Sequence, residues 1–138
     1  MSPPGRLLPL LMVGGLTFGC ARDGRTSFHF SGSITAPPPI QKLTQRPNLV
    51  LFIVATNNSG VPVAIKKIIN PTLPVHYRMN AEDLVLPGPA WAGPLQVRVV
   101  VNSHGTLGVT LKGDLRGTHR GEVWSGGRDI NVVIDQQD

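Results

Sequence analysis

Four histidines, one cysteine and a Ser-His pair are the residues here that invite a catalytic or metal-binding reading. His29, His76, His104 and His119 are scattered, and none stands in a paired ligand spacing such as H-x3-H. A cupredoxin-like copper site needs a Cys thiolate beside two His, often with Met. The sole cysteine, Cys20, precedes all of these histidines. His76 and Met79 are three apart, a spacing that points them to opposite faces of a strand. Copper binding is therefore a minor alternative, requiring His76, Met79 and a second His to converge in space. Ser103-His104-Gly105 lacks a G-x-S-x-G elbow, and a triad base needs a buried acid to orient it. Asn102 to Gly105 is better read as a turn. Glu82 and Asp83 are adjacent rather than a spaced acid–base pair. These residues predict no enzyme, no metal site, no cofactor and no small-molecule substrate.

What remains is recognition chemistry. Trp91 sits among Pro87, Pro89 and Pro94, where an exposed indole would suit a binding hot spot and a buried one would plug an end of the fold. Lys66-Lys67 and the stretch from Arg116 to Arg120 could form a docking face for an acidic segment. Asp114 either closes an Asx-type turn after Gly113 or contacts a partner. Trp91, Lys66, Lys67, Asp114 and Arg116 are thus the candidate partner-binding residues. With 13 Lys and Arg against 8 Asp and Glu the chain is modestly basic. Its cations are dispersed and its aromatics few, unlike a nucleic-acid groove with its clustered basic residues and stacking rings.

The first residues carry an address. Arg6 supplies a positive start, and Leu7 to Leu16 is apolar, about half of the ~20 residues a membrane-spanning helix needs. Residues 1–19 read as a signal peptide, with a retained signal anchor as the alternative. Cys20 follows Gly19 where a bacterial lipoprotein signal places its lipidated residue, although Thr17 and Phe18 depart from the usual pattern. An ordinary signal peptide cut nearby would instead leave a lone thiol in an oxidising compartment. Lipidation is the expectation, with the outer membrane favoured because Ala21 rather than Asp follows the cysteine. Residues 20–27 form a polar tether, and residues 28–138 one domain.

The elements of that domain are short. Phe28, Phe30, Gly32 and Ile34 alternate with polar residues, the period of a strand with one buried face. Ala36 to Pro39 ends it in polyproline II, and residues 40–48 connect. Leu49 to Ala55 is continuously apolar, predicting a central strand covered on both faces. Asn57-Asn58-Ser59-Gly60 is a hairpin turn leading to Val61–Ile69, whose Pro62 belongs at a strand start or sheet edge. Leu73–Met79 alternates, Ala81–Asp83 makes a helical turn, and Leu95–Val101 is a second apolar run. Leu107, Val109 and Leu111 alternate with Gly108, Thr110 and Lys112, predicting a strand; residues 113–121 read as a Gly-rich connection. Val123-Trp124 starts a short strand, Ser125–Gly127 turns, and Ile130–Ile134 closes the domain. Seven or eight such strands predict an all-β fold, an antiparallel two-sheet sandwich of immunoglobulin-like or cupredoxin-like type.

In order and spacing, SFHFSGSI, LFIVATNNSGVPVAIKK, LPVHYRMNAEDLVLPG and VRVVVNSHGTLGVTLKGDLRG resemble one known module. It is the small C-terminal β domain of bacterial cytochrome c-type biogenesis proteins of the CycH type. The likeness covers roughly residues 28–135. Parents of that module carry helical tetratricopeptide repeats and a membrane anchor, which residues 1–27 are too few to supply. The resemblance implies a non-catalytic binding domain, acting on apocytochrome or an assembly factor of the cytochrome c maturation system. The alternative is a generic structural or adhesive lipoprotein that shares the fold.

Overall fold

The structure, a computed structural model, describes residues 28–138. The predicted leader, Cys20 and the tether lie outside the described residues.

The described chain is an all-β sandwich of two sheets. Strands β1 (His29–Thr35), β2 (Val50–Thr56), β3 (Pro62–Ile69), β4 (Val75–Asn80), β5 (Gln96–Asn102), β6 (Leu115–Thr118), β7 (Val132–Val133) and β8 (Gln136–Gln137) follow in sequence. The three-stranded sheet has order β4-β1-β7, and the five-stranded sheet β3-β2-β5-β6-β8. Every pairing is antiparallel except β1 with β7. That parallel pair arises because residues 124–134 run up the side of β1, held by Ile130 N–H to Ser31 O and Ile134 N–H to Thr35 O.

The period-2 pattern sets the core. Phe28, Phe30 and Ile34 face Leu51, Ile53, Val97, Val99 and Val101 across the interlayer, with Tyr77 and Met79 from β4 and Ile130, Val132 and Ile134 from the segment around β7. Phe30 lies edge-on to both Phe28 and Tyr77, a favourable orientation for ring quadrupoles. Between β2 and β3, Asn57 Oδ1 accepts from Ser59 N and Val61 N while Gly60 turns with φ 78°. Pro62 opens β3, an edge strand, where its missing N–H costs no ladder bond.

Three sequence expectations are corrected. The prolines do not end in polyproline II: Pro38–Leu43 is a short helix, α1, with Pro at its first positions, where no intrahelical N–H is required. Ile40 and Leu43 of this helix pack against the core. Residues 107–112 form no strand; with Gly105, Gly108 and Gly113 all at positive φ the segment loops outward, exposing Val109 and Leu111. The partner of β5 is instead Leu115–Thr118, inside the predicted connection. Val123 contributes an isolated bridge to Leu95 rather than a strand.

Candidate docking face

The outward face of the five-stranded sheet differs from that of its partner. On the three-stranded sheet Ser31, Ser33, His76 and Arg78 point outward, as on an ordinary solvated face. On the five-stranded sheet the pairing aligns Lys67 (β3), Phe52 (β2), Val100 (β5) and Arg116 (β6) in one cross-strand row. Ile65, Val54, Arg98 and Thr118 form the next row, and Ile69, Val50 and Asn102 flank the first on its other side.

The centre of this face is therefore apolar and its margins are cationic. Phe52 is 5% exposed and Val54 0%, so the apolar surface left to a partner comes from Ile65 and Val100, which are half-buried, and from the flanking strand ends. Ile69, at 64%, leaves most of its surface to water. Lys67 and Arg116 stand three strand spacings apart, about 14 Å. Arg116 Nη2 lies 3.1 Å from Asp138 Oδ1; among the described residues Lys67 and Arg98 make no ion pair. The sequence predicts β2 to be covered on both faces, and Leu51 to Ala55 are all buried: the second sheet roofs the side carrying Leu51, Ile53 and Ala55, and Phe52 and Val54 are enclosed on the other.

The other candidate residues lie elsewhere. Lys66 points inward at the edge, its Nζ 3.2 Å from Asp83 Oδ1. Asp83 is in turn held by its capping box with Asn80, accepting from Asn80 N at 3.0 Å. Asp114 is buried at the opposite end of the sandwich from Phe28. Its Oδ2 accepts from Leu111 N and from His104 Nε2, each at 2.9 Å. The carboxylate thus reaches back to Leu111 instead of forward into an Asx turn. Trp91 packs on Phe28 with ring centroids 5.6 Å apart, and its buried Nε1 has no hydrogen-bond partner among the described residues. The structure thus brings Lys67 and Arg116 together, but not Lys66, Asp114 or Trp91.

Asp114, His104 and Ser103 superficially restore the acid, base and nucleophile of a triad. Both ring nitrogens of His104 are engaged, however: Nε2–H donates to Asp114, and Nδ1 accepts from Thr106 N at 3.4 Å. With both nitrogens occupied, neither is placed to take a proton from Ser103, and the pair latches the 103–113 loop. His119 Nδ1–H donates to Asn131 O at 2.8 Å. Among the described residues, no three of His, Cys, Asp and Glu come together to hold a metal ion.

Arg98, Phe52 and Val100 were missed as site residues. Phe52 stands in a run whose continuous apolarity predicts cover on both faces, a reading that assigns its outward positions to the interior rather than to a site. No family model matches the chain, and comparison with curated proteins and with solved structures finds no match.

Proposed function

We propose that this protein is a non-catalytic docking module, a lipid-anchored lipoprotein of the bacterial envelope that serves cytochrome c maturation as an accessory factor. The observation that carries the docking role is the Lys67–Phe52–Val100–Arg116 row, with Arg98 beside it. Half-buried Ile65 and Val100 and exposed Ile69, set among cations, suit an amphipathic segment that lays hydrophobic side chains on the sheet and acidic ones over its rims. The maturation role rests on the resemblance of residues 28–135 to the β domain of CycH-type proteins. In this reading the partner is apocytochrome or a maturation factor, and the signal peptide and Cys20 deliver the domain to the periplasmic side of a membrane, the outer one favoured.

Crosslinking in the native envelope tests this. A photoactivatable residue placed at Lys67 or Arg98 should form adducts with cytochrome maturation proteins or apocytochrome, whereas one at His76 on the opposite sheet should not. Equal adducts from both sheets, or none from Lys67 and Arg98, would reject the face. Cys20→Ser should move the protein from the detergent phase to the aqueous phase; wild-type protein released without detergent would reject the anchor.

A further inference from the structure

The end of the sandwich at which the chain begins its first strand carries an exposed tryptophan held in a rigid turn. Residues Trp124 to Gly127 form a β-turn closed by Gly127 N–H to Trp124 O at 3.0 Å, with Gly126 at φ 93°. This turn is stapled to the first described strand. Gly126 N–H donates to His29 O at 2.6 Å, and His29 N–H donates to Ser125 Oγ at 3.2 Å. On its other side Val123 exchanges both backbone hydrogen bonds with Leu95, at 2.7 and 2.8 Å. The backbone on either side of Trp124 is thus pinned, while the residue is 55% exposed beside a Val123 that is 1% exposed.

Val61, 41% exposed, belongs to the same end. It follows the β2–β3 turn, where Thr56 pairs with Gln96, the residue after Leu95. Charges here are mixed: Arg120 is accompanied by Glu82 and Glu122, and Lys66 is paired with Asp83. Cys20 lies eight residues before Phe28, a reach of at most about 28 Å when extended.

We propose that the Trp124 turn is the membrane-contacting tip of the domain, seating its indole among the headgroups of the bilayer that holds Cys20. The inference rests on the lipid-anchor reading above. Tryptophan favours that boundary because its ring is apolar and its N–H can remain hydrated. A turn whose backbone is already pinned by two flanking hydrogen-bonded segments needs no further ordering of the chain on seating, only of the indole itself. Because charges at this end offset one another, the contact is apolar, independent of anionic lipid and insensitive to salt. It also sets the orientation: with the tip down, the strands stand away from the bilayer and the Phe52 face stays open to a partner.

The test uses the full lipidated protein in phosphatidylcholine vesicles with or without bromine near the headgroup end of the acyl chains. In Trp91→Phe protein, which leaves Trp124 as the only indole of the two in the chain, emission should shift to the blue on vesicle binding. It should be quenched by the brominated lipid, at low and high salt alike. A parallel comparison of wild type with Trp124→Phe, a surface change, should show the same quenching lost, and decides the matter if Trp91→Phe does not fold. Vesicle-bound protein whose Trp124 emission is unquenched would overturn the tip while leaving the anchor intact. Wild-type protein that fails to float with vesicles would remove the anchor, and the tip with it.

Discussion

Tyr77 is the only tyrosine of the chain, and its hydroxyl donates to Ile130 O at 2.6 Å within the core. Burial pushes the phenol well above its ordinary value, because the phenolate would have to form away from water. The native state then holds this proton more tightly than the unfolded chain does. Its stabilising contribution is therefore complete below pH about 10 and falls as pH rises beyond that toward the raised native value. Urea midpoints measured from pH 8 upward should decline more steeply in wild type than in Tyr77→Phe; parallel declines would contradict the assignment. At neutral pH Tyr77→Phe should cost about 1–2 kcal/mol, by stranding the Ile130 carbonyl. Asp114→Ala removes the acceptor shared by Leu111 N and His104 Nε2. Hydrogen exchange should then accelerate in residues 105–113 and stay unchanged in β1; uniform acceleration would mean that Asp114 supports the whole fold instead.

Two glycines show how the strands are brought together. A Cβ on Gly32 would lie 1.9 Å from Ile130 O, and one on Gly117 would lie 2.1 Å from Val133 O. In each case a neighbouring backbone occupies the space a side chain would fill, so Gly117→Ala should cost about 1–3 kcal/mol through overpacking, read from the urea midpoint. Gly117 also explains why β6 was illegible in the sequence. Of its inward positions, Leu115 and Gly117, only one has a side chain, so the alternation vanishes. The Leu107-Val109-Leu111 alternation shows the opposite failure, an apolar pattern without a sheet to receive it. Because Val109 and Leu111 are exposed, Val109→Ser should shift stability by no more than about 0.5 kcal/mol; a loss several times larger would place that segment in the core. By contrast β1 and β4 were legible because apolar and polar side chains alternate along them, and β2 and β5 because apolar, largely β-branched runs mark their length.

The molecule presents unlike surfaces: a polar outer sheet, a sheet with apolar and cationic residues outward, and a tip whose pinned turn carries an exposed indole. Sequence reasoning offers Lys66-Lys67 and Arg116 to Arg120 as a docking face but cannot separate Lys67 and Arg116 from their neighbours, since their shared row depends on the register of four strands. For Trp91 it offers a hot spot or a plug at one end of the sandwich, and packing on Phe28 makes it the plug, leaving Trp124 outside. Ile69, Ile65 and Val100, which keep surface on that face, are what a partner segment would cover, and Lys67 and Arg98 supply its polarity. The most direct measurement is the amount of covalently attached haem in the c-type cytochromes of the host bacterium after deletion of this gene. Haem staining of envelope proteins should fall on deletion and recover with the wild-type gene. It should stay low with Lys67→Glu/Arg98→Glu protein that accumulates and folds normally. Unchanged haem attachment in the deletion strain, or full recovery with the charge-reversed face, would contradict the account.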